Sequence, residues 1–140
     1  MGQNAPMGDL AIYCADIGSI RNANFGWARG GLSSRGPEEH HGDSGEIDDL
    51  VEAVARDLGH GRRAALGFEC PLFVPVPHDP IRLGRARLGE GDRPWSAGAG
   101  SGAMATGLVQ VAWVLSKLRE RCPTERVFLD WASFQAADVG

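Results

Sequence analysis

A short, almost uninterrupted apolar run near the N-terminus constrains the fold of this chain more than any other feature. Leu10 to Ala15 reads Leu-Ala-Ile-Tyr-Cys-Ala, and the run ends at the turn Asp16-Ile17-Gly18-Ser19. An apolar run of this length that a turn signal closes is typical of a strand buried on both faces. We therefore expect a β-strand that places Asp16 at its carboxyl end.

Composition and charge exclude several classes of protein. With 140 residues the chain has the size of one domain, and its net charge of −4 means that any binding of nucleic acid needs a local basic patch. The scattered cysteines favour buried free thiols in a reducing compartment over a disulfide framework or a zinc site. These cysteines are Cys14, Cys70 and Cys122. No run approaches the length of a membrane span, so we expect a cytoplasmic protein that does not contact membranes.

The first half of the chain predicts a leader, a hairpin, a loop and a helix. Residues 1–9 have the composition of a disordered leader, and residues 24–29 follow a short turn as the antiparallel partner of the first strand. The glycine-rich residues 30–45 predict an exposed loop, with a third hairpin strand degraded within it. Residues 46–58 repeat apolar side chains at helical spacing after a capping Ser44, which predicts a helix.

The second half predicts two further strands and a second helix. Residues 63–68 form another apolar run that prolines stop, and residues 126–129 form a third. Between them lie an arginine- and glycine-rich loop over residues 81–102 and a helix over residues 103–120. The predicted apolar face of this helix consists of Leu108, Val111, Ala112, Leu115 and Leu118. Strands that alternate with helices favour a parallel sheet with right-handed crossovers.

An acidic residue closes each of the three apolar runs. Asp16, Glu69 and Asp130 hold these positions, and the carboxyl ends of parallel strands share one edge of a sheet. Clustered carboxylates repel each other unless a cation lies among them, and oxygen ligands suit Mg²⁺ or Mn²⁺. Two such ions can activate water and stabilise the leaving oxygen of a phosphodiester. For any one acid alone, a polar strand end at the surface is the simpler interpretation.

Several of these motifs resemble the ribonuclease H-like superfamily. The turn Asp16-Ile17-Gly18-Ser19, followed by Phe25-Gly26-Trp27-Ala28, is similar to the first hairpin of Holliday-junction resolvases of the RuvC type. The segment Leu66-Gly67-Phe68-Glu69 resembles the fourth strand of that group, and residues 68–75 resemble predicted RNase H-like nucleases of unknown function. In order of elements, the resemblance covers residues 10–131.

The resemblance implies a three-layer α/β domain over residues 10–140, in which a mixed sheet has an N-terminal hairpin and parallel strands joined by helices. It implies a metal-dependent nuclease of DNA or RNA, with Asp16 and Glu69 as catalytic ligands of Mg²⁺ or Mn²⁺ and Asp130 as a third. Family members usually carry a fifth-strand acid, to which Asp130 could correspond, and a closing helix with another acid, to which Asp138 could correspond. Since only ten residues follow Asp130, we expect a member that is truncated or degenerate at its C-terminus.

The loop over residues 81–102 is the candidate for substrate binding. Its arginines could hold phosphates together with Ser19 of the first turn, while its glycines let the backbone approach. These arginines are Arg82, Arg85, Arg87 and Arg93. The alternative is an ordinary mobile loop, because neighbouring acids partly balance the arginines.

Two other functions stay open at this point. One is a non-catalytic or degenerate interaction domain of the same fold, which the short C-terminus and the acidic net charge favour. The other is a nucleotide-binding or phosphotransfer domain, since actin-like ATPases share the D-x-G-S phosphate turn. Those proteins need two such domains, for which this chain is too short.

Overall fold

A mixed four-stranded sheet organises the computed structural model, which describes residues 9–33, 36–40, 45–70, 72, 76–86 and 98–128. The strands are β1 (Leu10–Asp16), β2 (Gly26–Ser33), β3 (Gly36–His40) and β4 (Arg63–Phe68). The α-helices in the described residues are α1 (Ile47–Gly59) and α2 (Gly98–Arg121). The strand order is β3-β2-β1-β4; β1, β2 and β3 pair in antiparallel fashion, and β4 pairs in parallel with β1. The predicted α/β class, the hairpin and the mixed sheet are confirmed.

β1 is buried along the whole of one face, whereas on its other face Leu10 is buried, Ile12 is half-buried and the carboxyl-terminal end is exposed. Ala11, Tyr13 and Ala15 are buried, whereas the alternate residues Cys14 and Asp16 are exposed. This alternation is the period of a strand with one face against a core. The prediction of a strand buried on both faces is therefore wrong for the carboxyl-terminal half of β1, and so is the predicted burial of Cys14. Its free thiol is confirmed.

Both helices pack on the buried face of the sheet. Their core residues join those of β1 in one cluster with Phe25. The helical members of this cluster are Ile47, Leu50, Val51 and Val54 of α1 and Val114 and Leu118 of α2. The described part of the chain thus contains a sheet and one layer of helices, and the third layer of the prediction stays untested.

The predicted exposed loop over residues 30–45 is wrong where strands replace it. β2 continues through Ser33, and residues 36–40 form β3, whose register aligns Gly31 with Glu38. Gly31 is a residue type typical of loops, but here it lets β1 and β2 lie close together. A Cβ at this position would lie 3.1 Å from the carbonyl oxygen of Leu10. Consequently, residues 63–68 form the fourth strand in chain order, with the predicted bounds.

The two helices differ from prediction at their starts and faces. The N-cap of α1 is Glu46, without a side-chain capping bond, so the predicted Ser44 cap is wrong; Ser44 itself lies outside the described residues. α2 begins at Gly98 instead of residue 103, and Leu108 on its predicted apolar face is 46% exposed. Because apolar residues surround much of α2, periodicity alone could not identify the face that is buried.

The predicted third parallel strand is absent from the described residues. Residues 126–128 follow a turn after α2 without pairing to the sheet, and residue 129 lies outside the described part of the chain. Cys70 and Cys122 are free and half-buried, where fully buried thiols were expected. Among the described residues, no helix has the length and apolar character that crossing a membrane requires.

Candidate functional site

The carboxyl ends of β1 and β4 form the centre of the site. In the parallel register Ala15 aligns with Phe68, and the backbone N–H of Glu69 donates to the Ala15 carbonyl oxygen at 2.8 Å. Asp16 and Glu69 therefore occupy the next position on adjacent strands, which lie about 4.8 Å apart. Both residues are exposed. Of the predicted acids, these two are brought together as expected.

Two shallow grooves meet at this pair of acids. A groove of about 560 Å³ extends over the sheet face that the helices leave uncovered, and small residues of three neighbouring strands form most of its floor. A second groove of about 330 Å³ lies between the turn after β1 and the N-terminal half of α2. Asp16 and Glu69 line both grooves. A bound molecule could thus reach the carboxylates from two sides.

The turn after β1 has little room for substitution. A Cβ at Gly18 would overlap the carbonyl oxygen of Asn24, so glycine is required at this position. Ser19 caps the short 3₁₀ helix Ile20–Asn22, because its side chain accepts a hydrogen bond from the Asn22 N–H. The hydroxyl predicted to bind substrate thus has a structural bond, although Ser19 also lines the second groove.

α2 holds this turn through Gln110, a residue that sequence reasoning missed. The Gln110 side chain accepts a hydrogen bond from the Gly18 N–H at 3.4 Å and donates to the Gly18 carbonyl oxygen. Gln110 is buried although it is polar. Gln110 lies one helical turn before the buried Val114, but the apolar residues around α2 hide this buried side from the sequence pattern.

α2 also touches the segment that follows the second acid. Gly107 is buried directly against Cys70, the neighbour of Glu69, and a Cβ at Gly107 would overlap the Cys70 side chain. Burial raises the pKa of the Cys70 thiol, which favours the neutral form at this contact. One side of α2 therefore meets both acid-bearing segments.

The donor atoms at the strand ends suit a hard divalent cation. Asp16 and Glu69 offer carboxylate oxygens only, and Mg²⁺ in proteins is commonly held by one or two carboxylates, with waters and phosphate oxygens completing its coordination. In the described part of the chain, neither side chain is in an ion pair, and no group of three acidic, histidine or cysteine side chains could hold a metal. The site as described therefore provides two ligands.

Of the other predicted residues, only Arg82 and Arg85 lie in the part of the chain that the structure describes. Arg82 ends a short 3₁₀ helix and Arg85 follows it; both are exposed, and no described contact connects them to Asp16 or Glu69. Three predicted residues lie outside the described residues: Arg87, Arg93 and the proposed third ligand Asp130. The same applies to Asp138.

A buried ionic network lies under the opposite face of the sheet. The Asp57 carboxylate of α1 accepts hydrogen bonds from the Tyr13 hydroxyl at 2.6 Å and from two nitrogens of Arg29 at 2.9 and 3.0 Å. Arg62 extends the network, with an ion pair to Glu38 at 2.8 Å and an approach to Asp57 at 3.8 Å. These contacts tie α1 to β1, β2 and β3.

Protonation in this network follows from burial and hydrogen bonding. Burial raises the pKa of Tyr13 to about 12, and the neighbouring Asp57 carboxylate adds to the shift. Burial would also raise the pKa of Asp57, but hydrogen bonds from Tyr13 and Arg29 outweigh it and hold that pKa below its ordinary value. The network is therefore an ionic support of the core, distant from the strand ends that carry the acids.

The paired acids, the Gly18 turn and the parallel pairing of β1 with β4 define the candidate site. Each of these features comes from the residues and topology of this chain. Comparisons of the chain with protein-family models, with curated proteins and with solved structures found no match.

Proposed function

We propose that this chain is an RNase H-like domain that binds Mg²⁺ or Mn²⁺ at Asp16 and Glu69 and hydrolyses phosphodiester bonds of DNA or RNA. One observation carries the proposal: the two carboxylates end neighbouring parallel strands at the same register position and open into shared grooves. The order of elements supports it. A hairpin carries the first acid and the fourth strand carries the second, as the resemblance implies.

The chain's own residues would have distinct tasks in this reaction. Asp16 and Glu69 would hold the cation and set its position relative to the grooves. When bound, the metal supplies charge neutralisation for a phosphate oxygen and lowers the pKa of a coordinated water. The small residues of the sheet face, which include Ala28 and Gly67, leave room for a strand of nucleic acid beside the acids.

Removal of one carboxylate tests this proposal. We expect Asp16→Asn and Glu69→Gln each to abolish Mn²⁺-dependent cleavage and to weaken Mn²⁺ binding, since each change deletes a charged ligand but keeps the side-chain size. The measurements are cleavage of single-stranded, duplex and junction DNA and of RNA, together with the paramagnetic resonance signal of free Mn²⁺.

A matched control removes a carboxylate elsewhere. Glu120 forms an exposed pair with Lys117 near the end of α2 that is remote from the grooves, so Glu120→Gln should bind Mn²⁺ and cleave as the unchanged chain does. Cleavage that persists in Asp16→Asn, or Mn²⁺ binding equal in all variants, would refute the proposal.

A non-catalytic interaction domain of the same fold is the second candidate. The net charge of −4 favours it, because binding to nucleic acid commonly depends on a basic surface. It predicts a folded chain that binds no Mn²⁺ and cleaves none of the four substrates. Measurable Mn²⁺ binding that depends on Asp16 would decide against it.

A further inference from the structure

We infer that Gln110 is a positioning residue: it fixes the turn behind Asp16 and so holds the two carboxylates in the arrangement that binds the metal. The inference rests on the proposed metal site but concerns a side chain that does not reach the metal itself. The observation behind it is that the buried Gln110 amide forms two hydrogen bonds to Gly18, one with its N–H and one with its carbonyl oxygen.

The amide side chain of glutamine matches this task. It offers one acceptor and two donors, so a single glutamine can bind both backbone groups of one residue and thereby fix the orientation of its peptide units. Gly18 lies two residues after Asp16. A larger residue at this position would displace the backbone of Asn24. The turn is thus bonded to α2 on one side and lies close against Asn24 on the other.

The second half of the inference concerns the register between the two strand ends. Gly107 lies one helical turn before Gln110 and contacts Cys70, which follows Glu69. The same side of α2 therefore sets the positions of both acid-bearing segments relative to one helix. Thr106 and Ala103, on the preceding turn, line the groove between that helix and the acids.

Burial makes the two hydrogen bonds between Gln110 and Gly18 costly to lose. Gln110 is 8% exposed, so its amide groups have little access to water, and a replacement leaves the Gly18 groups without their partner. A turn that loses both bonds has more freedom, and a ligand borne by a mobile turn binds metal less tightly. Side chains that hydrogen-bond a metal ligand directly commonly contribute about 10- to 100-fold to metal affinity, and Gln110, which bonds the turn beside the ligand, should contribute near the lower end of that range.

Two substitutions separate the two bonds. Gln110→Met keeps the length of the side chain and removes both bonds, whereas Gln110→Glu keeps the acceptor for the Gly18 N–H and removes the donor to its carbonyl. We expect Gln110→Met to raise the amide exchange rate of Gly18 by about fivefold or more. Gln110→Glu keeps the acceptor but sets a carboxylate oxygen against the Gly18 carbonyl oxygen, so its exchange rate should lie between those of the unchanged chain and Gln110→Met.

Metal binding provides the second readout. Gln110→Met should raise the dissociation constant for Mn²⁺ by about tenfold or more while both carboxylates remain. Val109→Ala, an exposed change at the neighbouring position of α2, is the control and should alter neither measurement. Circular dichroism and the melting temperature show whether each variant is folded.

The outcomes distinguish this inference from the proposed function. Unchanged Gly18 exchange in Gln110→Met overturns the positioning role, whatever the chain binds. Faster exchange with unchanged Mn²⁺ affinity overturns it as well. If the unchanged chain binds no Mn²⁺, the proposed function fails, and the Gly18 exchange rates still decide whether Gln110 holds the turn.

Discussion

At the scale of single residues, the molecule contains two kinds of carboxylate with opposite surroundings. Asp16 is exposed at a strand end, in the part of the chain where no described cation pairs with it. Asp57 is buried and accepts hydrogen bonds from Tyr13 and Arg29. A buried carboxylate with its partners in place stabilises the fold, whereas an exposed carboxylate beside another one is available to a ligand.

We expect Asp57→Ala to lower the free energy of unfolding by about 3–5 kcal/mol, because it leaves the half-buried Arg29 guanidinium without its partner. Urea denaturation measures the change. Asp48→Ala removes an exposed acid from the first turn of the same helix and should cost less than about 1 kcal/mol. Equal losses in the two variants would contradict this role of Asp57.

At the scale of elements, α2 is the piece that connects the helix layer to the site. Its C-terminal half contributes Val114 and Leu118 to the core, and its N-terminal half borders the groove that contains Asp16 and Glu69. The glycine at position 107 permits the close contact to Cys70 at the junction between these halves. The helix therefore serves packing and site geometry with different segments.

Two glycines of α2 provide a matched pair for testing this contact. Gly107→Ala should destabilise the fold by about 1–3 kcal/mol, because its Cβ overlaps Cys70 in a packed region. Gly102→Ala meets no atom within 4 Å and should stabilise the helix by about 0.5–1 kcal/mol. Thermal and urea denaturation of both variants give the comparison, and the same sign of change in both would rule out the contact as the cause.

At the scale of the whole molecule, the network around Asp57 makes stability depend on pH at both extremes. The lowered pKa of Asp57 contributes stability that is present above its ordinary pKa of 3.8 and is lost as the pH falls through the folded value. The raised pKa of Tyr13 contributes stability that is present below pH 10.0 and is lost as the pH rises towards about 12. Several elements should therefore loosen together at either limit.

The alkaline limit can be measured directly because the chain has one tyrosine. The phenolate absorbance then reports Tyr13 alone, and we expect its midpoint near pH 12 in the folded protein and near pH 10.0 in urea. Ionisation of the phenol should lower the free energy of unfolding between these two pH values. Tyr13→Phe should lack this fall. A midpoint near pH 10.0 in the folded protein would show that the hydroxyl is not held as the structure indicates.

The sequence predicted the parts of this fold that local patterns control. The bounds of β4 were predicted correctly because prolines and Glu69 follow its apolar run, and α1 was predicted to within one residue at each end from its apolar spacing. β3 was expected only as a degraded strand within a loop, because its pairing with β2 depends on its partners and not on its own composition.

The two acids of the site could be predicted from the sequence, but the contact of α2 that holds the turn beside them could not. A carboxylate after an apolar run is visible in the sequence, so Asp16 and Glu69 could be proposed as neighbours. The bond between Gln110 and Gly18 joins residues 92 positions apart, and no local pattern encodes such a contact. Substrate binding by Arg82 and Arg85 stays a prediction, because the structure shows both side chains exposed but no described contact to the acids.

The hydrogen bonds between α2 and the Gly18 turn have a consequence for the evolution of related sequences. Residues 10–69 contain both acids and every strand of the described sheet, whereas the helix that orients them lies later in the chain. A substitution at position 110 could therefore remove the support of the Gly18 turn without altering either acid. Retention of Asp16 and Glu69 in a related protein would then not be enough to predict that the proposed metal site is kept.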